Sequence, residues 1–325
     1  MPSVTPPTSY KIGVDGGATK TELIFVDDRG GIVARHLAPG CNPNIAGPAR
    51  ARETLTAALH TLLATSPLAS PVSPLAGNLR SLVTGHCPLV ISSTLLCMAG
   101  APEFWQETAA TFSAGKTFGT VTAFDDSLPV LELATNGHPG LVLHGGTGSF
   151  VAARDPSGKI HYAGGLGWRF GDEGSGHEIG RLAIARALLE LQGCSSGSTL
   201  AQLIRAHSGQ PADARAITRW FYQHAEPNRQ IAALAPAVLD LAEHGDEHAA
   251  RVVRDACLPL LALAERVAAK LFAVTELSHL PAGLSGPILN HPFVQTLFRA
   301  RTILPLTAIS AAPIEGVHRL LSRQI

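Results

Sequence analysis

Two short turns carry the residue types that hold phosphate. Asp15-Gly16-Gly17-Ala18-Thr19-Lys20-Thr21 and His144-Gly145-Gly146-Thr147-Gly148-Ser149 each join two apolar runs that read as strands. A Gly/Thr/Ser turn presents backbone N–H groups and hydroxyls without bulky side chains. Such a concave set of donors suits phosphate oxygens. The candidates are Gly16, Gly17, Ala18, Thr19 and Lys20 in the first turn, and Gly146, Thr147, Gly148 and Ser149 in the second. One such turn reads as well as a plain hairpin. Two, in matching strand-turn-strand settings, point to a duplicated architecture with phosphate held between the halves. Neither is a Walker A loop, since no Gly-x-x-x-x-Gly-Lys-Ser/Thr occurs. Neither is a dinucleotide fingerprint, since a strand and not a helix follows each turn. A third stretch, Gly164 to Gly176, packs glycines around Trp168, Asp172 and Glu173 at the entrance of an apolar helix. Packing alone does not account for that density.

Phosphoryl transfer needs a phosphate cradle, a divalent cation and a carboxylate near the attacking hydroxyl. The two turns supply the cradle. Asp15, at a strand end beside the first turn, could hold Mg²⁺ directly or through water. Lys20 reads equally well as an exposed lysine. Asp126, just past the expected strand Thr117–Phe124, is the candidate general base. An aspartate at a strand-to-helix junction is as often a helix N-cap, and the residues alone leave both roles open.

The bulk numbers exclude several other classes. Lys+Arg and Asp+Glu are 25 each, so no basic field argues for nucleic acid or for an anionic membrane surface. Charged residues are 15% and hydrophobic residues 46% of 325, which fits a compact two-domain protein. The five cysteines (Cys41, Cys87, Cys97, Cys194, Cys257) are scattered, with no C-x-x-C, so neither a disulfide framework nor a zinc site is expected. The N-terminus reads as a short tail without a signal peptide. The longest apolar run, Pro88 to Ala101, is too short to span a bilayer. A cytoplasmic protein with no nucleic-acid or membrane partner is expected.

The elements that must position these residues follow in order. Tyr10–Asp15, Glu22–Asp27 and Gly31–Leu37 read as an antiparallel meander. Gly40–Asn44 reads as a polar loop, and Pro48 opens a helix to about Ala64. Ser66–Pro74 is a Pro/Ser-rich connector. Leu79–Cys97 holds at least one buried strand. Pro102 opens a helix, Thr117–Phe124 is a strand, and a helix runs to about Thr135. The meander then repeats around Leu141–Leu143, Phe150–Arg154 and Lys159–Ala163, with a hairpin turn at Asp155–Gly158. Helices dominate from Gly176, including a long one from His248 to Val274, broken or bent near Pro259. His279–Leu284 reads as a strand, Arg301–Leu306 as a short one, and Pro313 opens the last helix. The order predicts two α/β domains of one topology, residues 1–137 and 138–325, with a cleft between them. The last helix is free to pack back on the N-terminal domain.

The same residues resemble the sugar kinase, Hsp70 and actin superfamily of duplicated ribonuclease-H-like domains. They are most similar to the BadF-type ATPase grouping that holds N-acetylglucosamine and glucosamine kinases. Asp15-Gly-Gly-Ala-Thr-Lys resembles its first phosphate motif, and Gly146-Thr-Gly-Ser149 its second. Asp125-Asp126-Ser127 resembles its Asn/Thr-Asp-Ala, with serine in the last place. Gly164 to Gly176 resembles its sugar and hinge segment, and Gly-Trp-x-x-Gly-Asp-Glu-Gly-Ser is the most specific of these. Ile314-Glu-Gly316 resembles the start of its C-terminal helix. The likeness covers nearly the whole chain.

The resemblance implies ATP and Mg²⁺ as cofactors and favours catalysis at Asp126. It implies sugar contacts from Asn42, Asp126, Thr147, Gly148, Gly167, Trp168 and Asp172, with Trp168 stacking on the sugar or packing on the hinge. It implies adenosine contacts from Gly283, Leu284 and Ser285, where the expected Gly-Gly is reduced to Ala282-Gly283. A homodimer is expected. Three functions follow from it: an amino-sugar kinase acting on the 6-hydroxyl of glucosamine or N-acetylglucosamine, an iron–sulfur activator ATPase of a 2-hydroxyacyl-CoA dehydratase or benzoyl-CoA reductase, and a non-catalytic nucleotide or sugar-binding module. The cysteine positions do not match those of the activators.

Overall fold

The structure is a computed structural model that describes residues 9–66 and 90–323. The N-terminal tail, the Pro/Ser-rich connector beyond Ser66, residues 79–89 and Cys87 lie outside the described residues. The chain divides into two compact units. One runs to Glu132 and resumes at Ala311; the other is Leu133–Ser310.

In the first unit β1 (Ser9–Gly16), β2 (Lys20–Val26) and β3 (Ile32–Pro39) form the antiparallel meander. The helices α1 (Pro43–Ala46) and α2 (Pro48–Thr65) follow. Next come β4 (Val90–Met98), α3 (Pro102–Gly115), β5 (Thr120–Asp125) and α4 (Ser127–Thr135), whose last three residues belong to the second unit. β4 runs parallel to β1 and β5 parallel to β4, so the sheet reads β3-β2-β1-β4-β5. The alternation of a two-faced strand is plain in β2. Leu23 and Phe25 join Leu55, Leu59, Leu62 and Trp105 on one face, while Ile24 and Val26 join Leu95 and Cys97 on the other.

In the second unit β6 (Gly140–Gly145), β7 (Ser149–Arg154) and β8 (Ile160–Gly164) repeat the meander. Six helices come next: α5 (Gly176–Leu191), α6 (Thr199–Ser208), α7 (Ala214–Gln223), α8 (Pro227–Ala232), α9 (Ala235–Glu243) and α10 (Glu247–Leu271). Then follow β9 (Ala282–Ser285), α11 (Pro292–Arg299) and β10 (Leu306–Ala308). The sheet order is β10-β9-β6-β7-β8, with β9 parallel to both its neighbours. It is the first sheet's order with each strand replaced by its counterpart five strands on. The last helix, α12 (Pro313–Ser322), belongs to the first unit, where Val317, Leu320 and Leu321 are buried on the face of Ile24 and Leu95.

Several boundaries differ from the sequence expectation. β9 opens at Ala282, because Pro281 has no N–H to give; its carbonyl instead accepts from Leu141 N. The strand expected over 301–306 is realised only from Leu306. β5 opens at Thr120, after Gly119 turns the chain with φ +68°. The loop expected at Gly40–Asn44 contains the start of α1, capped by Asn42. α10 continues as helix through Pro259, and α8 and α9 fill a region left without elements.

Candidate active site

The first turn is closed by its own backbone. Gly17 N donates to Lys20 O at 2.9 Å, and Cys41 N donates to Gly17 O. Ala18 and Thr19, exposed at the tip, leave their amides without a backbone partner. The second turn has the same construction, with Gly146 N donating to Gly148 O at 2.8 Å and the amides of Thr147 and Gly148 left over. So the free donors are two successive amides per turn. Gly17 and Gly146, expected in the cradle, spend their N–H groups on shaping it. Two glycines have steric reasons for being there. A Cβ at Gly16 would sit 2.3 Å from Met98 Cε, and one at Gly40 would sit 2.0 Å from Ala18 O. Lys20 Nζ lies 3.3 Å from Glu22 Oε2, an exposed ion pair.

Asp15, Asp125 and Asp126 gather at the C-terminal ends of β1 and β5. The register places Asp15 beside Cys97 and Met98 beside Asp125. Asp125 Oδ1 accepts from Ser127 N, the first residue of α4, at 2.9 Å, an Asx-type turn that leads the chain into the helix. Burial pushes the Asp126 carboxyl up to about 7, helped by the charges of Asp125 and Asp15 and a hydrogen bond with the Asp125 side chain. Its own backbone N–H works the other way. Burial also raises Asp15 to about 6; the Lys20 ammonium opposes this and Glu22 adds to it. Cys97, wholly buried beside all three carboxylates, has its thiol pushed well above the ordinary value, by burial first.

In the second unit Asp172 reaches back to the second turn. Its carboxyl accepts from the Ser149 and Gly167 backbones, yet burial, with Glu173 nearby, holds it at about 6. A Cβ at Gly148 would meet its oxygens at 3.4 Å. Ser149 Oγ donates to Glu173 O at 2.6 Å, so this hydroxyl braces the turn. Gly176 N donates to Gly146 O at 2.7 Å and ties the start of α5 to the same turn. Ser175, not His177 or Glu178, is the N-cap of α5. Trp168 is half exposed, with the Arg169 guanidinium 4.9 Å from its ring. Phe170, 80% exposed, stands beside it. Gly167 has φ +85° and forms a bridge with Gly171.

Two groups of expected contacts have structural duties. Asn42 Oδ1 accepts from Asn44 N at 2.9 Å as the cap of α1. Gly283 and Leu284 are buried inside β9, where a Cβ on Gly283 would sit 2.6 Å from Ile309 Cδ1 and 2.7 Å from Ala134 Cβ. The bare α-carbon there serves sheet packing. Ser285 Oγ lies 3.2 Å from Nδ1 of His144, a residue sequence reasoning passed over. His144 stacks on Phe150 at 4.9 Å, and burial lowers it to about 4, so it is neutral. His177 is likewise buried, 5.6 Å from the Trp168 ring, with burial holding its imidazole below the usual value. A lone histidine, at the end of an apolar run for His144 and at a helix start for His177, gives no signal for either.

Residues 12–297 match the sequence profile of the BadF/BadG/BcrA/BcrD ATPase family. An N-acetyl-D-glucosamine kinase of Dictyostelium discoideum is 24% identical over 267 residues, spanning 80% of this chain and 79% of that protein. A Chromobacterium violaceum crystal structure named for N-acetylglucosamine kinase superposes with a TM-score of 0.70 at 26% identity, covering 96% of this chain and 98% of that one. A ROK family glucokinase from Streptomyces griseus shares the fold, with a TM-score of 0.55 at 13% identity over 97% and 100% of the two chains. The two sheets of one topology are thus those of actin-like ATPase sugar kinases.

Proposed function

The chain belongs to the BadF/BadG/BcrA/BcrD ATPase family, and we propose that within it the protein is an ATP-dependent amino-sugar kinase. It transfers the γ-phosphoryl group to the 6-hydroxyl of glucosamine or N-acetylglucosamine. The observation that carries the proposal is Asp126: a buried carboxyl just past the C-terminal end of β5, beside Asp125 and Asp15 and held at about 7. A base poised near the working pH accepts a hydroxyl proton most effectively. The relatives named for N-acetylglucosamine kinase support the substrate class.

Each residue then has a task. The paired amides of Ala18–Thr19 and of Thr147–Gly148 donate to phosphate oxygens. Asp126 orients the acceptor hydroxyl and takes its proton as the oxygen attacks phosphorus; ADP leaves with the former β–γ bridging oxygen. Asp172, fixed by two backbone amides, accepts from a sugar hydroxyl. Trp168 offers an apolar face.

Mg²⁺ fits the first unit on electrostatic grounds, since Asp15, Asp125 and Asp126 repel one another without a cation. Their oxygens do not form a tight three-ligand group among the described residues. Asp15 would hold the ion, directly or through water, and the bound ion would neutralise phosphate charge.

The test is a coupled ADP-release assay with Mg²⁺-ATP and a panel of hexoses and amino sugars. Stimulation by glucosamine or N-acetylglucosamine above every neutral hexose is expected. No stimulation by any sugar would sink the proposal.

A further inference from the structure

Three side chains of the second unit that phosphoryl transfer leaves unused converge at the end of α9. Asp240 and Glu243 are three residues apart and so share one face of its last turn. His291 is the N-cap residue of α11. Its Nε2 lies 3.5 Å from Asp240 Oδ1 and 3.5 Å from Glu243 Oε2. The three donor atoms all fall within 4.8 Å of one another.

Two physical points argue that this is more than an ion pair. The first is charge. The last turn of a helix carries partial negative charge, so two carboxylates there are repelled by it and by each other. α9 has no basic residue in that turn, and among the described residues no lysine or arginine pairs with either carboxylate. The second is distance. A charge-assisted imidazole–carboxylate hydrogen bond runs about 2.7–2.9 Å, and His161 Nε2 to Asp155 Oδ2 is 2.7 Å in this same unit. At 3.5 Å the His291 contacts are too long for that. Ligand atoms bound about 2.0–2.2 Å from a tetrahedral ion stand roughly 3.3–3.6 Å apart. The two His291 separations are those of ligands sharing an ion, and the two carboxylate oxygens lie within 4.8 Å of each other.

We propose that Asp240, Glu243 and His291 bind one first-row divalent transition-metal ion, of which Zn²⁺ is the type, and that the ion ties α9 to α11. One imidazole with two carboxylates suits such an ion better than Mg²⁺ or Ca²⁺. Three protein ligands leave a fourth position for water. The carboxylates are exposed, so the ion enters from solvent. Coordination through Nε2 puts the ring proton on Nδ1. It exchanges only the long 3.4 Å contact from Phe293 N.

The test uses full-length protein stripped with chelator, without nucleotide. Zn²⁺ binding is read by isothermal titration calorimetry and by melting temperature. The variants are His291→Asn, which keeps a capping side chain, and the double Asp240→Asn/Glu243→Gln. Expected are one saturable ion per chain and a raised melting temperature in the parent, both lost in both variants. Any shift given by Mg²⁺ or Ca²⁺ at the same concentration should be smaller and equal in parent and variants, and Mg²⁺-ATP-dependent ADP release should be equal in all three proteins. Binding unchanged in the variants, no binding in the parent, or a preference for Mg²⁺ or Ca²⁺ would each overturn the proposal.

Discussion

At the scale of single residues the proposal gives the two neighbouring aspartates different roles, and the difference can be measured. Asp126→Asn keeps size but removes charge and basicity. Turnover should fall by roughly 10²–10⁴-fold. Asp125→Asn should cost far less, because asparagine keeps an oxygen to accept from Ser127 N. A larger loss at Asp125 would reverse the assignment. A second consequence concerns pH. Folded Asp126 and Asp15 sit at about 7 and 6, above the ordinary 3.8, so the folded state binds their protons more tightly than the unfolded chain. Their stabilising contribution is complete below about pH 4 and is lost as pH rises towards 7. His144, held at about 4, acts in the opposite sense below 6.5. The clean readout is therefore a difference. Without metal, the melting temperature of Asp126→Asn should gain on the parent between pH 5 and pH 8. A constant gap between the two would show that this carboxyl is not desolvated. Residue types alone left Asp126 open as base or cap, and the family resemblance favoured the base. Which carboxylate reaches Ser127 N is a matter of torsion angles that residue types do not encode.

At the scale of elements both Gly/Thr/Ser turns were legible as tight connections between antiparallel strands, since each lies between two apolar runs. Which amides stay free was not legible, because the hydrogen bonds from Gly17 and Gly146 depend on the closed shape of each turn. Gly40 supplies the sharpest test of that shape. A methyl group there would meet Ala18 O at 2.0 Å and must push the Ala18–Thr19 tip aside. Gly40→Ala should raise KM for ATP several-fold, with the far-ultraviolet dichroism spectrum unchanged. An unaltered KM would mean that the tip does not hold phosphate. The weaker readings lay where one residue overrides a pattern: Pro281 truncates β9 by denying it an N–H, and Asn42 turns a polar loop into a helix start. The helices α8 and α9 escaped notice because Pro227 and Pro236, at their first turns, read as breakers when no periodic pattern frames them.

At the scale of the whole chain the duplication was readable, because two meanders each followed by parallel strands admit little else. The two sheets do share one strand order. The return of the last helix to the first unit depends on close approach at glycines, Gly316 on the helix against Pro129 O and Gly13 on the sheet. Gly13, in central strand β1, has no side chain, and a Cβ there would meet Val317 at 2.7 Å and Leu321 at 2.9 Å. This lets α12 lie directly on the sheet and bury Ile314, Val317, Leu320 and Leu321. Lys11 Nζ adds a bond to Leu321 O at 2.9 Å. Four such side chains are worth about 1.5–3 kcal/mol each, a sum comparable to the about 5–15 kcal/mol that holds a whole domain together. A chain ended after Ser310 would also uncover Ile24, Val26, Leu95 and Cys97. It should lose the first unit's cooperative melting while the second unit's helices survive. Scanning calorimetry and far-ultraviolet dichroism would then show one transition missing with most helical signal retained. If the truncated chain keeps the parent's full unfolding enthalpy, α12 is dispensable, and Gly13 must be small for some other reason.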